Sequence, residues 1–177
     1  CINCWEMERT FVREKNISQT TKHTMFHICA IDSINTYILP KVYKTFIEKN
    51  NHVHLVIHNL HSQDSYIYIE NKIVNLGFIS DDMYNKDVKT VPIFSEKMCF
   101  ISNKENNYPT SVHPSNLDCK LEIKLPWNPE FDKWHNYWFG ATSKSLIIVD
   151  KMSILDDFLQ IKNSWAIVPM SIGHWLV

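Results

Sequence analysis

Apolar and polar positions alternate along this chain with two different periods, and the switches between them mark out its elements. Phe26-His27-Ile28-Cys29-Ala30-Ile31 is an apolar run that predicts a buried strand. It breaks into Asp32-Ser33-Ile34-Asn35-Thr36. Leu39, Val42, Tyr43, Phe46 and Ile47 then recur at three- and four-residue spacing, which predicts a helix over Asn35–Lys49 with one apolar face. Pro40 either kinks that helix or sits near its first turn. Val53–Ile57 is β-branched and alternating, a second strand. The opening is therefore strand–helix–strand, the unit of a parallel sheet. Ser62–Ile73 is expected to be helical: Ser62, Asp64 and Ser65 are cap residues, and a crossover must precede the next strand, although Tyr66-Ile67-Tyr68-Ile69 alternates like a strand. That next strand is Leu76–Ile79, where Gly77 suits a crowded strand end.

Val91–Phe94 and Met98–Ile101 read as two more strands, and Glu96–Ser102 as a hinge strand into a second lobe. Asn103–Asn116, with its Asn, Pro, Ser and Thr, is a loop. Leu121–Leu125 is a strand, and Asn128-Pro129 then supplies an N-cap and a proline at the first helical position. Phe131, Trp134, His135 and Trp138 fall on one face of the helix that follows, and Gly140 ends it. Ser145–Val149 is a strand. Ser153 with Asp156 suggests a capping-box-like start for a helix through Ile161, and Trp165–Val168 is the last strand, closed by Pro169. At the other end, Cys1 to about Ile17 looks helical, followed by a polar connector over Ser18–Lys22.

Composition narrows the function classes. A formal net charge of −1 over 177 residues gives no reason to expect nucleic acid or an anionic membrane as a direct partner. No apolar run approaches the roughly 20 residues that cross a bilayer. The first residues lack a signal peptide's basic and apolar regions, so a cytoplasmic location is expected. Cys29 and Cys99 lie in apolar strands and are expected to behave as small hydrophobes. Arginine occurs only at Arg9 and Arg13, which weakens any polyanionic ligand.

The ordered set Phe26–Pro40, Val53–Ile57, Asn75–Ile79, Val91–Phe94, Met152–Phe158 and Ala166–Pro169 resembles the effector-binding domain of LysR-type transcriptional regulators. The resemblance implies an α/β fold with two lobes, periplasmic-binding-protein-like (type 2), and a ligand cleft between them. It divides the chain into the end of a linker helix and connector (residues 1–24), lobe I (25–96) and lobe II (97–177). The family's return strand and helix from lobe II to lobe I are expected to be missing. Effector contacts carried over from the family fall on Asp32, Ser33, His61, Ser62, Ser80, Met152 and Ser153. An arginine often follows the third strand in carboxylate-sensing members; Ser80 stands near that place here, which argues against a tricarboxylate effector.

Trp127, at the end of a strand, is the best aromatic candidate for the cleft wall, whereas the aromatic helix after it is explained by core packing. Asp32, Ser33 and Ser62 also read as ordinary N-caps. A carboxylate at Asp32 would repel an anion and suit an amine or hydroxyl donor. His52, His54 and His58 share one strand face and raise a metal-sensor alternative, though no cysteine or carboxylate completes a site there. No nucleophile–base pair and no Gly-rich phosphate loop is present, so neither catalysis nor a cofactor is expected. The implied function is a small-molecule effector-sensing domain that pairs with itself as a dimer or tetramer through helix Asn35–Lys49. It would reach DNA only through an N-terminal winged helix-turn-helix, and it would not contact a membrane. A solute-binding protein of a transporter, built on the same fold, is the alternative.

Overall fold

The computed structural model describes residues 24–176; the linker-helix expectation for Cys1–Ile17 lies outside them. Lobe I is a parallel sheet in the order β2-β1-β3, formed by β1 (Thr24–Ala30), β2 (Val53–Asn59) and β3 (Leu76–Phe78). β1 is central, with Ile28 opposite both Ile57 and Leu76. Its crossovers are α1 (Asp32–Tyr37), α2 (Leu39–Lys49) and α3 (Ser62–Glu70). Ile28, Ala30, Leu39 and Tyr43 form the lobe's buried core, with Phe26, Leu55 and Phe78 packed around it. Gly77 allows a close approach: a Cβ there would lie 2.8 Å from Ile69 Cδ1 and 3.1 Å from Cys29 Sγ, so those side chains would have to shift.

The helix predicted over Asn35–Lys49 is two helices. The first begins already at Asp32, and the break falls at Ile38, because Pro40 has no N–H to continue the first helix but fits the opening turn of the second. The apolar stripe of α2 also splits. Leu39 and Tyr43 are buried, while Val42 and Ile47 are 42% and 47% exposed.

Val91–Phe94 forms no strand. Pro92 cannot donate to a ladder, no neighbouring strand pairs with the segment, and Val91, Ile93 and Phe94 are about half exposed. Lobe II follows, with β4 (Met98–Ser102), β5 (Ile123–Lys124), α4 (Pro129–Phe139), β6 (Ile147–Ile148), α5 (Leu155–Leu159) and β7 (Trp165–Pro169). β4 runs antiparallel to β7, β5 runs parallel to β6, and a bridge between Glu122 and Trp165 joins the two pairs. β5 and β6 are shorter than predicted; before β5 the chain makes a 3-10 turn at Cys119–Leu121, in which the Asp118 side chain accepts the Lys120 N–H at 2.9 Å. Asn128 caps α4 as expected, its Oδ1 accepting the Phe131 N–H at 2.8 Å, and Gly140 closes the helix at φ 86°.

Ser153 does not cap a helix. It lies exposed inside a 3-10 turn, Met152–Ile154, and α5 starts after it with no side-chain cap. Beyond Pro169, where the sequence suggested closure, the chain forms α6 (Met170–Leu176). The Glu96 carboxylate accepts the Ser171 N–H at 2.8 Å at its start. This helix touches α1 of lobe I, and the Trp175 ring meets Tyr37 edge-on at 6.1 Å. Among the described residues no strand after β3 joins the sheet of lobe I. The lobe II core runs from Ile101 and Ile123 to Leu155, Val168 and Ile172, and Tyr37 of lobe I packs against it. Burial pushes the free thiols of Cys29 and Cys99 up, which favours their protonated form. No helix among the described residues is long and apolar enough to cross a membrane.

Candidate ligand cleft between the lobes

A parallel strand points its carboxyl end at a loop whose backbone and first helical N–H groups are free to meet a ligand. Five strands here, β1, β2, β3, β5 and β6, point such ends at one another. The residues just beyond them line a single cleft of about 420 Å³. Lobe I contributes Ile31–Ser33, Asn59–Gln63 and Ser80–Asp81; lobe II contributes Leu125–Trp127 and Val149–Met152.

Asp32 spans the opening. Its Oδ2 accepts the backbone N–H of Met152 at 2.6 Å, and its Oδ1 accepts Asn59 Nδ2 at 2.8 Å. One side chain therefore ties lobe I to the 3-10 turn of lobe II. Behind it Asn35 anchors the same corner, its Nδ2 donating to the carbonyls of Ala30 and His58 at 3.2 and 3.1 Å. The Tyr43 hydroxyl donates to Asn35 Oδ1 at 2.7 Å. On the other side of lobe I, Ser62 Oγ accepts the Ser80 N–H at 3.3 Å and lies 3.4 Å from Ser80 Oγ, so the two hydroxyls meet. Ile31 before α1 and His61 before α3 provide no side-chain cap, which leaves the first N–H groups of both helices to other acceptors. The Trp127 ring forms part of the wall, held by its Nε1–H donating to the Ile167 carbonyl at 2.8 Å.

Asp32, Ser33, His61, Ser62, Ser80, Trp127 and Met152 thus come together on one cleft, and Ser153 does not. Sequence reasoning missed Asn59, Asp81, Asp150 and Lys151. The signal that finds them is positional: each stands within three residues of a parallel strand's carboxyl end. The lining carries three carboxylates, Asp32, Asp81 and Asp150, against one ammonium, Lys151. Its charge suits a cationic or hydroxyl-rich group better than a multiply charged anion. Among the described residues the histidines of β2 enter no group of three metal-ligating side chains. His58 Nε2 stands 3.1 Å from His27 Nδ1, with the two rings stacked, whereas His54 is exposed.

No family model and no curated protein matches this sequence. Solved structures do match the fold, among them regulatory domains and longer chains of LysR-family transcriptional regulators. The chain resembles the regulatory domain of MexT, a transcriptional activator in Pseudomonas aeruginosa, at 16% identity and TM-score 0.72, over 86% of this chain and 77% of that one. It resembles a variant of full-length OxyR from Pseudomonas aeruginosa at 13% identity and TM-score 0.73, over 98% of this chain and 61% of that one. A regulatory-domain variant of OxyR2 from Vibrio vulnificus matches at 8% identity and TM-score 0.68, over 89% and 78%. The architecture is therefore the type 2 periplasmic-binding-protein-like fold of LysR regulatory domains, as the sequence resemblance implied.

Proposed function

We propose that this chain is the effector-sensing domain of a LysR-type transcriptional regulator and binds a small molecule between its lobes. The observation that carries the reading is a cleft lined from both lobes and bridged by one side chain, Asp32 to Met152. A ligand seated there touches both lobes at once, so it has different affinities for open and closed arrangements, which is what a sensor needs. Ser33, Ser62 and Ser80 supply hydroxyls to hold it, and the excess of carboxylates selects an amine or a polyol rather than a tricarboxylate.

Self-association through α2 belongs to the same proposal. Val42 and Ile47 face outward there beside the exposed Lys41, Lys44 and Lys49. Tyr43 of the same helix does not join that surface; it is buried in the lobe I core. DNA contact would be made by a winged helix-turn-helix outside this chain, and a changed spacing of such heads would be the output.

Thermal unfolding tests the cleft reading with a panel of amines, amino acids and polyols, and with citrate as the contrast. A binder at a hundredfold excess over its dissociation constant should raise the melting temperature by roughly 5–10 °C. The shift should shrink strongly in Ser33→Ala. An equal response in the variant, or a larger response to citrate than to any amine or polyol, would overturn the assignment.

A further inference from the structure

Lobe II contains a second polar cluster, none of whose members lines the cleft. Glu122 and His135 are 1% and 2% exposed, and Cys119 is half-buried beside them. One carboxylate oxygen, Glu122 Oε2, lies 2.7 Å from His135 Nε2, 2.7 Å from Ser145 Oγ and 3.4 Å from Cys119 Sγ. The thiol also stands 4.0 Å from His135 Nε2 and 3.9 Å from Ser145 Oγ. A nucleophilic relay would place the carboxylate on one imidazole nitrogen and the thiol on the other. Here both face Nε2, and Nδ1 is buried with no hydrogen-bond partner among the described residues. The arrangement converges on a point, which is the geometry of a cation site.

The donor set fits that geometry. Thiolate, imidazole and carboxylate are the three protein ligand types of zinc, and these three ligand atoms lie within 4.8 Å of one another. With bonds of about 2.3 Å to sulfur and about 2.0 Å to nitrogen and oxygen, donors at tetrahedral corners stand roughly 3.3–3.6 Å apart. The thiol–carboxylate spacing already matches. The His135–Glu122 spacing has to open by about half an ångström once the proton between them leaves, and the thiol–imidazole spacing has to close by as much. The site is also well fixed. The Glu122 backbone carbonyl accepts the N–H of Leu146 at 2.9 Å, and His135 is held in α4.

We propose that Cys119, Glu122 and His135 bind one divalent cation of the zinc class, with Ser145 Oγ or water completing the coordination. This does not rest on the cleft reading. A metal on Nε2 moves the imidazole proton to Nδ1, which has no acceptor among the described residues, so binding should be reversible and weaker than at a site whose outer shell is complete.

Cobalt titrated into the reduced 177-residue chain should give tetrahedral visible bands and a near-ultraviolet thiolate charge-transfer band that saturate at one equivalent. The thiolate band should vanish in Cys119→Ser and persist in the double variant His54→Ala, His58→Ala. Ser145→Ala should weaken binding about tenfold. In the unmodified chain, zinc should slow alkylation of Cys119, read by peptide mass spectrometry, which decides the matter even where Cys119→Ser fails to fold. Absence of the band, its survival in folded Cys119→Ser, or alkylation of Cys119 unchanged by zinc would overturn the proposal.

Discussion

Asn35 and Tyr43 form a polar contact beside the apolar core of lobe I. The Tyr43 hydroxyl reaches Asn35 Oδ1, and Asn35 in turn holds the ends of β1 and β2 together. Burial, with a smaller contribution from Cys29 nearby, pushes the Tyr43 phenol from 10.0 up to about 12. The folded chain therefore keeps this phenol neutral at a pH where the unfolded chain already ionises it. The associated stability is complete below pH 10.0 and is lost as the pH rises toward about 12. Urea unfolding across that range should show a loss of about 2 kcal/mol that Tyr43→Phe removes. The sequence marks Tyr43 only as one of an apolar set. Its polar role depends on Asn35, eight residues earlier in a separate helix, and spacing alone carries no trace of that bond.

At the scale of elements, legibility follows locality. α4 was readable because both its ends are written in adjacent residues, Asn128-Pro129 and Gly140, and the structure uses all three. Asn128→Ala should therefore destabilise lobe II by about 1 kcal/mol, measured by denaturant unfolding. Ser153 shows the reverse. Its capping pattern is as good on paper, but Ser153 falls inside a 3-10 turn whose Met152 N–H is held by Asp32 from 120 residues away, and α5 starts only after that turn. Val91–Phe94 has strand-forming residues and no partner strand, so propensity had nothing to pair with. The cluster of Cys119, Glu122 and His135 was invisible for a related reason. Its members come from a turn, a strand edge and a helix face, which only the folded lobe brings within reach of each other.

For the whole molecule, two lobes and a cleft were legible only through the resemblance to LysR effector domains, and the fold realises the cleft because parallel strands gather their carboxyl ends on one side. The resemblance does not say how the lobes are held; in the structure α6 and Tyr37 pack across them and Asp32 adds a hydrogen-bonded bridge to Met152. Removing its carboxylate in Asp32→Ala should lower stability by about 2 kcal/mol, the worth of a hydrogen bond to a charged acceptor. The same change should speed amide exchange at Met152 more than at Leu155 in the neighbouring core. Equal exchange at both positions would mean the bridge does not restrain the lobes.

The bond from Asp32 to Met152 also sets a scale for detection. Any ligand group that takes Asp32 Oδ2 competes with an amide the protein carries itself. The apparent dissociation constant is then the intrinsic one divided by the fraction of molecules in which that amide has let go. Changes in the turn behind Met152 would move this fraction, and with it the concentration at which the domain responds, without altering a single atom that touches the ligand.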